Sequence, residues 1–417
     1  MRTSTFAASL ALTTALALPA VSGAQLLASR SGDLVPSRLV APPAGPSLND
    51  SRDAVSFAWP LPAGQSIAGG IPAVSAASRE YWLRLSAEEL VRGVALPTTA
   101  ARALVRIHPA AGARQGASGP AVDPATVVLT DRTGRSFGSG QGMELLVGEA
   151  ELAQAGVPFP AGTTAFRLSA EVGSGLLRLA VPDLAADPAA PYLVHVFEPE
   201  SSVELTVSLP RGLYLHGESL GLELTASAAG KALPLASATA FVTSPSGRAW
   251  SLPLSTSQGR MRGVLRLDAR EPAQGGLWEV HVVGDGTAGE AKFLRNARAA
   301  FAVALPSARL TGGVKVARDA AGLSLRLDVE TAAAGRFEVR GVLYGRDARG
   351  EARPLAQAHA AAWLDKGPGS LTLVVPAELL AGSALTAPFE LRHLELIDQG
   401  RMGVLHRQDL ALSALTP

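Results

Sequence analysis

The residues of this chain best suited to acid–base work or metal binding are its seven histidines, at positions 108, 195, 216, 281, 359, 393 and 406. Their spacing assembles no site. A close-spaced metal motif sets its ligands on one face of one element, and neither H-x-H nor H-E-x-x-H occurs. His195 and Glu198 lie three apart, which on a strand sends them to opposite faces. His281 shares a face with Glu279 and so offers two ligands, but on a solvated sheet face this reads as an ordinary neighbour pair. His195 lies between Val194 and Val196 and shares its face with Leu193 and Phe197, which predicts a core histidine with its hydrogen bonds satisfied.

Other patterns that imitate chemistry read the same way. Gly217-Glu218-Ser219-Leu220-Gly221 fits the G-x-S-x-G nucleophile elbow, but that elbow needs a strand before the serine and a helix after it. Here an alternating strand follows Ser219, so a loop leading into a strand is expected. Gly138-Ser139-Gly140-Gln141-Gly142 lacks the lysine and helix of a phosphate cradle. Asp131-Arg132-Thr133-Gly134 is a turn, and no EF-hand run occurs. Calcium held between domains by distant ligands stays an open alternative. Of the five tryptophans, Trp82, Trp250 and Trp278 sit in apolar alternation and are expected in the core; Trp59 and Trp363 are the candidates for exposure, where a ring can act as a sugar-stacking platform. The sequence therefore assigns no catalytic, cofactor-binding or metal-ligating residue.

The elements that carry these residues are strands. Leu220, Leu222, Leu224 and Ala226 alternate with Gly221, Glu223 and Thr225, a period of two with one apolar face. Ser244-Pro245-Ser246-Gly247 turns the chain after a strand at 238–243, because Pro presets φ and Gly tolerates positive φ. Trp250, Leu252 and Leu254 share the next face. In 277–283, Trp278, Val280 and Val282 point one way and Leu277, Glu279 and His281 the other. Six or seven short strands within 212–303 predict an immunoglobulin-like sandwich. The runs Leu213 to Ser219, Ala240 to Gly247 and Gly276 to Val282 resemble the immunoglobulin-like modules of bacterial surface and secreted proteins; the resemblance implies a fold and no activity.

At the start, Arg2, the apolar run 6–18 and Ser22-Gly23-Ala24 read as a secretory signal peptide over 1–24, with cleavage after Ala24 or, alternatively, after Ala20. No later run is long enough to span a bilayer. The 417 residues include no cysteine, which excludes a disulfide scaffold and an acylated lipoprotein. Thirty-seven basic and 36 acidic residues give a formal charge of +1, so nothing calls for nucleic acid. Residues 25–78 are rich in Pro, Ala and Gly and are expected to be a partly disordered leader, with Phe57, Ala58 and Trp59 docking onto the first domain.

A mostly-β N-terminal domain is expected over 79–210. Ser86 and Glu89 have capping-box spacing and Gly93 ends the helix; 149–155 reads as a second short helix. Strands are expected at 103–107 and 126–130, and hairpins from 164–171 with 175–181 and from 192–197 with 203–209. The immunoglobulin-like sandwich occupies 211–305. A third sandwich over 306–417 opens with Leu323, Leu325, Leu327 and Val329, includes a helical link at 376–382, and closes with strands at 389–397 and 404–412. This order, with Tyr81-Trp82-Leu83-Arg84-Leu85, resembles a family of uncharacterised secreted bacterial proteins, a domain of unknown function built from immunoglobulin-like β-sandwiches.

The expected fold class is mainly β: tandem immunoglobulin-like β-sandwich domains with a few short helices. The expected function is that of an exported, periplasmic or extracellular, non-catalytic protein that binds or presents a protein, glycan or cell-envelope partner. A secreted hydrolase with an inter-domain site and a structural subunit of an envelope assembly are the alternatives.

Overall fold

The structure, a computed structural model, describes residues 20–43, 48–110, 119–148, 154, 159–257, 260–267 and 276–415. The apolar run 6–18 and all but one residue of the expected helix at 149–155 lie outside them. The described chain is mainly β, in several sheets that are antiparallel but for one short parallel pairing, with two short α-helices. Among the described residues no helix is long and apolar enough to cross a membrane. The chain divides into two compact units, 71–303 and a second made of 1–70 together with 304–417.

In the 71–303 unit, a nine-stranded sheet begins with Glu80–Ser86, followed in space by Pro191–Phe197 and Leu104–Pro109. Tyr81, Val105, Ile107, Tyr192, Val194 and Val196 fill its core. The helix Ala87–Arg92 has the expected capping box: the Ser86 amide donates to Glu89 Oε2 at 2.7 Å and the Glu89 amide to Ser86 Oγ at 3.2 Å. Gly93 closes it at φ +89°, where a Cβ would stand 2.4 Å from Arg178 Nε. Neither expected hairpin forms. Thr164–Leu168 pairs with Leu104–Pro109 and Gly142–Val147, whereas Gly175–Ala180 pairs with Val94–Thr98 and Val128–Thr130.

The immunoglobulin-like sandwich of the same unit is larger than 211–305. Val203–Leu209 joins it, paired to Ser219–Ala228, because Val203, Leu205, Val207 and Leu209 form one apolar face that is buried against this core. Val74–Ser78 adds the end strand of that sheet. The facing sheet is built on Leu235–Thr243, Trp278–Ala288 and Ala291–Ala304. Leu220, Leu222 and Leu224 meet Val280, Val282, Phe293 and Phe301 between them. Ser219 opens a strand and no helix follows it, so the G-x-S-x-G run is the loop its neighbours predict.

The second unit is a sandwich of a five-stranded and a four-stranded sheet. Gly322–Thr331 carries Leu323, Leu325, Leu327 and Val329 inward as its alternation requires, and the helical link is the helix Ala377–Ala381. The stretch expected as leader supplies strands to this unit. Val55–Pro60 pairs with Ala352–Leu364, so Phe57 and Trp59 dock on the C-terminal sandwich and not on the first domain. Ala20–Gln25 pairs with Ala308–Asp319, and Leu34, fully buried, exchanges two 2.8 Å backbone hydrogen bonds with Arg407. An unpaired sheet edge favours any extended segment able to reach it, and neither composition nor a lack of lasting periodicity bars a short strand from pairing there.

Candidate functional site

One arrangement occurs three times. In each sheet-face row an aromatic residue, a histidine and an arginine stand directly opposite one another on three adjacent strands: Trp82, His195 and Arg106; Phe241, His281 and Arg298; Phe57, His359 and Arg340. The ring stacks on the imidazole each time, with centroids 4.0, 4.7 and 5.1 Å apart. A glutamate reaches each imidazole: Glu80 at 2.8 Å, Glu279 at 3.3 Å and Glu338 at 2.7 Å.

The first row fixes its imidazole. Arginine can only donate, so the 3.0 Å contact from Arg106 Nε makes His195 Nδ1 the acceptor, and Nε2–H donates to Glu80. His195 is 2% exposed and satisfied at both nitrogens, but it lies on the outer face under Trp82 and not in the apolar core. Trp82 itself is 37% exposed. Alternation decides this: Tyr81 and Leu83 point inward on the same strand, so Trp82 must point out. It is the tryptophan the sequence misplaces. Trp278 is buried, Trp250 stacks on it at 5.2 Å, Trp59 is exposed, and Trp363 is half-buried beneath the Arg52 guanidinium.

The first two rows border one cleft of about 690 Å³ within the 71–303 unit. Trp82 and Glu80 line it from the nine-stranded sheet, Phe241, Asn296 and Arg298 from the sheet built on Leu235–Thr243, Ser78 from the end of the strand Val74–Ser78, and Arg79 from the link that follows it. Its charges are matched locally. Arg79 holds Glu204 at 2.6 Å, and Arg298 approaches Glu279 at 3.5 Å. The hydrogen bond from His195 holds the Glu80 carboxyl below the usual carboxylate range, and burial pushes the His281 imidazole below its ordinary value.

Beside this cleft the unit contains a fully buried ion pair. Arg295 and Glu198 meet at 2.5 Å with both side chains 0% exposed. Glu198 also accepts from the amides of Thr99 at 2.6 Å and Ala100 at 3.0 Å. Arg295 donates to the carbonyls of Val203 and Leu294 and to the hydroxyls of Thr99 and Ser201. His195 and Glu198 thus face different surroundings, as their spacing requires. Sequence reasoning missed Arg295; its signal was a charge at an inward position between Phe293 and Ala297 on an alternating strand.

Of the remaining histidines, His108 lies edge-on to the Trp82 ring, with centroids 6.3 Å apart, and is lowered by burial and by the Arg106 charge; His406 is buried and lowered by burial; His393 lies 3.2 Å from the Tyr344 hydroxyl. Among the described residues no group of three or more His, Asp or Glu is placed to hold a metal ion. Residues 138–142 run from one short strand to the next, with Gly138 pairing Gly142 in parallel.

Residues 46–198 match the family model described as the N-terminal domain of a domain of unknown function (DUF4785), and residues 307–416 match its C-terminal domain. A crystal structure of a DUF4785 family protein from Legionella pneumophila is similar at 21% identity and a TM-score of 0.72, over 92% of this chain and 99% of that one. Native alpha-2-macroglobulin from Escherichia coli matches at 16% identity over 82% of this chain and 20% of that chain, with a TM-score of 0.28 that carries no argument. No curated protein is significantly similar.

Proposed function

The chain belongs to the DUF4785 family, and from that premise we propose that it is an exported, non-catalytic binding protein whose partner enters the cleft between Trp82 and Phe241. The observation that carries this reading is the chemistry of the lining. Two large aromatic rings, 37% and 40% exposed, stand where solvent enters, while the ionisable side chains around them are already paired. Acid–base catalysis near neutral pH uses a carboxyl raised toward the working pH; Glu80 is shifted the other way. Aromatic rings in a concave site with a few oriented polar groups suit recognition. Export rests on the signal-peptide pattern of residues 1–24.

The test is a thermal-shift screen of the intact protein and its Trp82→Ala variant against divalent cations, glycans, peptides and envelope fragments. A ligand at 100 times its Kd adds about 2.7 kcal/mol, a shift of about 5–11 °C for a domain of 150–250 residues. A saturable shift absent from the variant supports the reading, and turnover of any screened compound overturns it. Mass spectrometry of the protein recovered outside the cytoplasm checks export, with a mature chain starting at Gln25, which removes most of the strand Ala20–Gln25, or at Val21, which keeps all of it but Ala20, as the expected result.

A further inference from the structure

We propose that the cleft in the 71–303 unit takes an uncharged oligosaccharide; this deepens, and rests on, the reading of the protein as a binding one. The aromatic rings supply the first argument. Trp82 lies on His195 by one face, and its strand ends the sheet, so among the described residues no neighbouring strand covers the other face. Phe241 lies on His281 by one face, and its partner on the opposite strand is the small Ser251. Two π faces are thereby left for a ligand with an apolar, C–H-bearing face, and a pyranose ring has such a face bordered by hydroxyls.

The polar lining supplies the rest. Arg79, Glu80, Asn296 and Arg298 end in planar groups, which donate or accept two parallel hydrogen bonds and so match vicinal hydroxyl pairs. Asn296 Oδ1 is buried without a hydrogen-bond partner among the described residues, which leaves an acceptor for a hydroxyl. Arg79 and Arg298 each already hold a glutamate, and Glu80 accepts a hydrogen bond from the neutral His195 with the Arg106 charge acting on it, so a charged ligand finds no unmatched countercharge. The volume, about 690 Å³, falls within the range of small-molecule sites. An extended peptide is the rival occupant, through the end strand Val74–Ser78, but that strand is only five residues long.

The experiment titrates the intact protein by calorimetry with cellohexaose, maltohexaose, chitohexaose and laminarihexaose, with hexagalacturonate as the charged counterpart and a displayed hexapeptide library as the peptide arm. At least one neutral hexasaccharide is expected to bind saturably. Trp82→Ala and Phe241→Ala should each weaken it by about two- to tenfold, and the double variant by about four- to a hundredfold, while Trp82→Phe retains most of the affinity. Arg298→Ala, an exposed change that leaves the fold intact, should weaken it as well. Selective binding of hexagalacturonate or of library peptides, lost in the double variant, overturns the neutral-saccharide assignment and leaves the binding reading standing. Binding of none of the three classes overturns both, and saccharide binding indifferent to all four substitutions overturns the location.

Discussion

Arg295→Met tests the account of the 71–303 unit most sharply. The substitution keeps the length and apolar stem of the side chain and deletes the guanidinium from a pair that is 0% exposed on both sides. Glu198 then keeps the Thr99 and Ala100 amides, but its charge is buried without a counter-ion, and the Val203 carbonyl loses its guanidinium donor. Breaking a buried pair in this way costs about 3–5 kcal/mol. For a domain of 150–250 residues each kcal/mol moves Tm by about 2–4 °C, so the expected fall is about 6–20 °C by differential scanning calorimetry. Adding Glu198→Gln removes the orphaned charge while its amide oxygen can still accept from Thr99 and Ala100, so the double variant should be more stable than Arg295→Met alone. A fall below about 2 °C, or a double variant no better than the single one, would refute the reasoning that uncompensated charge is the cause.

Three further outcomes are expected. Glu80→Gln should destabilise at neutral pH; because the folded carboxyl is held low by His195, the wild-type advantage is present above about pH 4.3, the unfolded value, and vanishes as the pH falls through the lowered folded value, which urea denaturation across pH will show. His406, lowered by burial, binds a proton more readily unfolded than folded, so stability should fall as the pH drops below about 6.5, and His406→Gln should flatten that slope. Gly322→Ala puts a Cβ 2.2 Å from the Val375 carbonyl oxygen at φ +136°, and a loss of at least about 2 kcal/mol is expected in chemical denaturation.

What was legible in the sequence was whatever depends on period and local chemistry. Leu220 to Ala226 and Leu323 to Val329 each reveal an apolar face by alternation, and Ser86 with Glu89 and Gly93 encode a helix within eight residues. What escaped depends on partners. Val203–Leu209 alternates cleanly, yet alternation does not say which of two neighbouring cores its apolar face joins. Val55–Pro60 finds its partner about 300 residues away, a pairing no local signal specifies. Trp82 shows how a bulky ring misleads: Tyr81, Leu83 and Leu85 share one parity and Glu80, Trp82, Arg84 and Ser86 the other, so the alternation turns Trp82 outward although its ring is apolar. The cleft joins Trp82 to Phe241 and Arg298, residues that sequence distance separates.

The 71–303 unit interrupts the other one, and this sets an order of events. Leu34 and the strand at 55–60 leave the ribosome early, while the strands they complete, at 352–364 and 403–415, come last. The interrupting unit can finish its cores from its own residues in the meantime, but the early segments must wait with their backbone groups unpaired. Such distant closure slows folding, because chain entropy is lost before contacts reward it. During that interval the waiting strand is the part of the molecule most open to capture, by a holding chaperone or by the equivalent edge of another copy.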